Sequence, residues 1–237
     1  MSAEQRRRLI SFVGLALFFF CAFAIIGHNI DGKHFLSRLD QQLLKSLNHH
    51  RFFAPALGSF FAVITELGSR WIILAVTIVV AVVLVVRRAY WQAGIWFICV
   101  TAAMLANVML KTYFSRPRPP QSGLDSWSFP SGHTTAAGVM FGLLAFLLAG
   151  KVSKLSLRLI AVAVLTALAF LVAFSRMYLG VHYFSDVVGS LIFSTGWILL
   201  WIPLFEWADR RNTSATKERS FTHWPEEYRS RARHRIF

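Results

Sequence analysis

The chain has 237 residues, a hydrophobic fraction of 56%, a mean hydropathy of +0.53 and a formal net charge of +14. That apolar content excludes an ordinary soluble domain, and the length suits one domain rather than two. The charge does not call for nucleic acid, because no basic stripe interleaves with stacking aromatics. Basic clusters sit instead at the ends of long apolar runs, as in a polytopic membrane protein whose loops meet anionic headgroups.

The first run, Leu9 to Ile26, follows Arg6, Arg7 and Arg8. Eighteen residues at 1.5 Å each give roughly 27 Å, nearly a bilayer core. Ala22, Phe23 and Ala24 resemble a signal cleavage site, but the run continues past them and reads as a retained anchor. Residues 30–51 turn polar, while Leu36, Leu39, Leu43, Leu44 and Leu47 keep one helical stripe. This predicts a short amphipathic helix on the membrane surface. A second span begins near Ile64 and ends at Val86, before Arg87 and Arg88. Glu66 and Arg70, one turn apart, are expected to pair at the membrane edge.

The third span covers Trp91 to Leu110 and the fourth Thr134 to Ala149, before Lys151, Lys154 and Arg158. The fifth covers Leu157 to Phe174 and the sixth Val187 to Leu204. Cys21 and Cys99 lie inside apolar runs, without metal-ligand spacing, and read as small buried hydrophobes. The expected fold is all-α, a six-helix transmembrane bundle over residues 1–204 followed by a basic tail, 205–237. By alternation, Arg6–Arg8, Arg87–Arg88, Lys151–Arg158 and the tail share one side, which the positive-inside rule makes cytoplasmic.

Three polar clusters interrupt the pattern. One runs from Lys111 to Pro119, one from Pro130 to His133, and one from Ser175 to Asp186. The same alternation brings all three to the outer face. Lys111, Arg118 and Arg176 there gather three positive charges near a low-dielectric bilayer, so they need an anion. Phosphate fits, because arginine grips its oxygens with paired bonds. Pro130 to His133 opens a helix whose free N–H groups also favour an anion. His182 and Asp186 are spaced i,i+4, so on a helix they share a face. The carboxylate could hold one imidazole nitrogen and leave the other free to attack phosphorus, while His133 protonates the leaving oxygen. His133, His182 and Asp186 could instead ligate a metal, but three nearby cations oppose a divalent ion. No metal or other cofactor is expected.

These residues resemble the type 2 phosphatidic acid phosphatase family, whose signature is K-x6-RP, PSGH and SR-x5-H-x3-D. Here the parts read Lys111 to Arg118 and Pro119, Pro130 to His133, and Ser175 and Arg176 to His182 and Asp186. The resemblance implies a six-helix membrane bundle and metal-independent phosphate hydrolysis. It implies that His182 forms a phosphohistidine, that Asp186 assists it and that His133 protonates the leaving group. Lys111, Arg118, Ser131, Gly132 and Arg176 would hold the phosphate. Family substrates include phosphatidic acid, phosphatidylglycerophosphate, undecaprenyl diphosphate and lipid A phosphates, among which the motifs do not choose.

The expected function is a membrane lipid phosphate or diphosphate phosphatase, with cytoplasmic termini and an outward site in a bacterial inner membrane. The same residues would serve a lipid-to-lipid phosphotransferase, and a non-catalytic lipid-phosphate binder or transporter would need only the cations. The expected partners are the lipid phosphate and the surrounding membrane lipids, with no nucleic acid. The sequence leaves the oligomeric state open.

Overall fold

The computed structural model describes residues 2–30, 34–53 and 55–222. Its regular elements, among the described residues, are all helical. Helix α1 spans Ala3–His28, starting before the predicted apolar run because Ser2 and Gln5 close a capping box at its N-terminus. Then come α2 (Phe35–Phe53), α3 (Pro55–Thr65) and α4 (Arg70–Val86). They are followed by α5 (Tyr90–Phe114), α6 (Gly132–Lys151), α7 (Leu155–Tyr178) and α8 (Phe184–Thr222). Five helices are long and apolar enough to cross a membrane, and the bent pair α3–α4 makes a sixth if counted as one span.

Apolar side chains cover the outside of the bundle as well as its core, which holds Trp96, Leu143 and Val172. Large apolar side chains such as Phe18, Val86 and Leu105 lie open on the bundle surface, 66%, 76% and 63% exposed, where lipid can cover them. Helix α6 is the hub, packed between α5, α7 and α8. Small residues set its spacing, since a Cβ on Gly138 would strike the Ser194 hydroxyl at 2.7 Å. Helix α1 lies along α8, and Gly196 permits close approach to Ala16 and Phe19. Arg8 and Glu206 form an ion pair across these two helices at 2.6 Å, and Lys151 meets Asp209 at 3.5 Å. The basic ends of α1, α6 and α8 therefore share one end of the bundle.

Several expectations change. The second span is not one helix: a 3₁₀ turn, Glu66–Gly68, breaks it, with a 44° bend between its halves. Glu66 opens that turn and Arg70 starts the next helix, and the two form no ion pair among the described residues; Arg70 lies over the Trp71 ring instead. Cys99 is buried as expected, but Cys21 is exposed on α1. The five leucines of α2 are all at least partly buried, and the helix packs on α3, α7 and α8, so its apolar stripe faces protein. Helix α8 runs without a break across position 205, through Pro203. The arginines at 229, 231, 233 and 235 lie outside the described residues.

Candidate active site

Helix α7 ends at Tyr178, with Arg176 in its last turn. Gly180 (φ +70°) then reverses the chain, in a conformation that glycine adopts without penalty. Helix α8 begins at Phe184 and carries Asp186 in its first turn. His182 therefore precedes the helix instead of sharing its face. The i,i+4 spacing still works, because the turn leads the imidazole back over the helix start. His182 Nδ1 lies 3.2 Å from Asp186 Oδ2.

Asp186 is fully buried and completely partnered. Its Oδ2 accepts from the Ser128 hydroxyl, from the Tyr183 N–H at 2.9 Å and from the imidazole. Its Oδ1 accepts from Arg116 at 2.5 Å. A carboxylate has no proton to give, so Nδ1 of His182 carries the hydrogen and Nε2 keeps a free lone pair. Arg118 Nη1 points at that lone pair from 3.0 Å. Burial pushes the His182 imidazole down to about 3, against the opposing pull of Asp186, and the charges of Arg118 and Lys111 add to the lowering. The ring is neutral near pH 7, as a nucleophile must be.

None of the three predicted cations is paired with a carboxylate among the described residues. Lys111, in the last turn of α5, donates to the carbonyl oxygens of Trp127 (2.5 Å) and Ser128 (3.2 Å). Arg118 donates to the Val181 carbonyl at 2.7 Å and through Nε to Ser126. These bonds pin the connection between α5 and α6 against the site. Arg176 is buried and donates through Nη1 to Thr65 at 2.7 Å, while its Nε has no partner among the described residues. A buried guanidinium with a free donor is costly unless an acceptor arrives.

The serine and glycine of the second motif build a helix start. Ser131 caps α6, accepting from the Thr134 N–H at 3.5 Å, and its own N–H reaches the Asp186 carbonyl at 3.5 Å. Gly132 is the first helical residue. His133 follows in the first turn, half-buried and within electrostatic reach of Arg176, Arg118 and Lys111. The break in the second span explains this placement. A Cβ on Gly68 would lie 2.7 Å from the His133 carbonyl oxygen and 2.9 Å from Val172, so only glycine lets the 3₁₀ turn press against His133. No three His, Cys, Asp or Glu side chains converge as a metal-ligand set among the described residues.

Sequence reasoning passed over Arg116, Asp40, Ser128 and Thr65. Arg116 lies inside the first motif between two recognised cations, and Asp40 interrupts the leucine stripe of α2. An acid amid an apolar stripe was the available signal. Ser128 and Thr65 carried none, since a hydroxyl in a loop or at a helix end is common.

The fold and the site together define an integral membrane protein with an acid-supported, neutral histidine ringed by unpaired cations. The PAP2 superfamily model matches residues 92–210, half of the chain. Phosphatidylglycerophosphatase B of Bacillus subtilis is 31% identical over 152 residues, covering 62% of this chain and 74% of that protein. A lipid A 4'-phosphatase of Rhizobium leguminosarum is 36% identical over 103 residues, 36% of this chain and 42% of that one. The crystal structure of a transmembrane PAP2-type phosphatidylglycerolphosphate phosphatase from Bacillus subtilis superposes with a TM-score of 0.72. It is 26% identical and covers 82% of this chain and 96% of that chain. The chain belongs to the PAP2 superfamily and is a membrane phosphatase, hence a hydrolase.

Proposed function

We propose that the chain hydrolyses the phosphate of a membrane lipid phosphate or diphosphate through a phosphohistidine on His182. The observation that carries this reading is the His182 imidazole, held by Asp186 at Nδ1 and met by Arg118 at Nε2. Nε2 attacks phosphorus and the bond to the leaving oxygen breaks. The leaving lipid oxygen takes its proton from His133. Lys111, Arg118 and Arg176, with the start of α6 at Ser131 and Gly132, hold the phosphoryl oxygens and stabilise their charge in the transition state. Water then attacks phosphorus, its proton passes to His133, and the P–N bond electrons return to Nε2.

The site lies at the end of the bundle opposite the basic termini of α1, α6 and α8. The positive-inside rule then directs the site outward and both termini to the cytoplasm, which suits a bacterial inner membrane. The named relatives act on phosphatidylglycerophosphate and lipid A, and we take these with phosphatidic acid and undecaprenyl diphosphate as the substrate classes to assay. The groups of the proposed mechanism grip the phosphate and leave the choice of lipid open.

The test is phosphate release by detergent-purified protein from these four lipids, with excess chelator and a His182→Ala control. Release that survives the chelator and vanishes in the variant is the expected result. Release that needs an added metal, or that persists in His182→Ala, would refute the mechanism.

A further inference from the structure

The Asp186 carboxylate is the end of a longer buried chain of charge. Arg116 donates from Nη1 to Asp186 and from Nη2 to Asp40 Oδ2 at 2.6 Å. Ser185 completes the link: its hydroxyl accepts from Arg116 at 2.8 Å and donates to Asp40 at 2.6 Å, and its N–H reaches Asp40 Oδ1 at 2.9 Å. The guanidinium also lies over the Tyr183 ring, 4.3 Å from its centroid. Asp40, Arg116 and Asp186 are 1%, 7% and 0% exposed. Asp40 comes from α2, far from all three motifs in sequence.

The charge count gives this arrangement a consequence. A lone Arg116 would neutralise Asp186 and weaken its hold on His182. A second carboxylate on the other amino group of the guanidinium restores one net negative charge to the trio. The imidazole gains positive character as Nε2 bonds phosphorus, and that negative charge is what stabilises it in a dry interior. We propose that Asp40 is a positioning residue for the reaction. Acting through Arg116, it keeps Asp186 anionic and aimed at His182, and so makes α2 a part of the active site. The inference rests on the phosphohistidine reading.

The test uses full-length protein in detergent with phosphatidic acid as substrate and vanadate as the phosphate-shaped probe. Asp40→Asn keeps the shape and removes the charge. It should lower kcat roughly ten- to a hundredfold, the range for a charged hydrogen bond, with KM and vanadate affinity within about twofold. Asp40→Glu should recover most of the loss. In an Arg116→Met background, Asp40→Asn should have no further effect on kcat, since its route to Asp186 is gone.

Wild-type kcat in Asp40→Asn would overturn the proposal, as would losses that add fully in the double variant. Variants at position 40 that fail to fold even as glutamate, or that lose vanadate in parallel with kcat, would make the pair a folding element only. A His182→Ala protein that retained turnover would instead strike the phosphohistidine reading, so the two failures are distinguishable.

Discussion

Arg118 Nη1 lies 3.0 Å from His182 Nε2, on the lone pair that attack on phosphorus would use. The nucleophile is thus capped by one of the groups that should grip the phosphate. The guanidinium has to move from nitrogen to phosphoryl oxygen as the substrate enters. Its anchors at Ser126 and the Val181 carbonyl set how far it travels. Arg118→Lys keeps a charge but loses the planar fork. We expect kcat/KM to fall by roughly a hundredfold, measured by steady-state phosphate release. A loss below threefold would show that the fork is not needed.

His182→Ala should lower turnover by at least about a thousandfold, because it removes the imidazole that Asp186 holds and that the proposed mechanism uses as nucleophile. The protein should still bind vanadate, since Lys111, Arg118 and Arg176 do not depend on the imidazole for their own anchors. Equilibrium vanadate binding to the purified variant checks both halves.

The lowered imidazole has a consequence for pH. In the folded chain His182 stays neutral down to about 3, whereas its ordinary value is 6.5. Between those values the unfolded chain binds a proton that the folded one does not. The contribution of His182 to stability is therefore full above about 6.5 and is lost as pH falls toward 3. The melting temperature of the wild type minus that of His182→Gln should shrink as the pH is lowered from 7 to 4 in detergent. A constant difference would mean that the ring charges within the fold.

Gly68→Ala places a methyl against backbone, the His133 carbonyl at 2.7 Å, where nothing flexible can yield. We expect a loss of about 1–3 kcal/mol in stability and a tenfold or greater fall in kcat through displacement of His133. Thermal unfolding in detergent beside kcat at 20 °C separates the two effects.

Arg116→Ala leaves Asp40 and Asp186 buried without a counter-ion. Breaking a buried pair in this way costs about 3–5 kcal/mol, so the variant should melt well below the wild type. Adding Asp40→Asn to it should restore part of the stability, because one orphaned charge is removed.

Much of this protein is legible along the chain. The bilayer fixes how long an apolar helix must be, and a helix end inside lipid needs a polar or basic stop, so five of the predicted spans reappear with longer ends. The alternation of basic clusters brought Lys111, His133 and His182 to one end of the bundle before any side chain was placed. The three motifs were recognisable because phosphate chemistry demands particular residue types at fixed spacing, and that demand is local in sequence.

What the chain order could not give were the contacts between segments far apart. The break at Glu66–Gly68 depends on His133 and Val172 needing room, which is a property of the neighbours and not of the helix. The i,i+4 pair of His182 and Asp186 meets through a turn set by Gly180, where spacing alone suggested a continuous helix. Arg116 carried no assigned role along the chain, yet it faces two acids, one of them on a helix that ends more than sixty residues earlier. Helix periodicity and hydropathy are one-dimensional and can be read from the sequence. The pairing of buried charges depends on which segments converge, and only the tertiary structure decided that Asp40, Arg116 and Asp186 would share one dry interior.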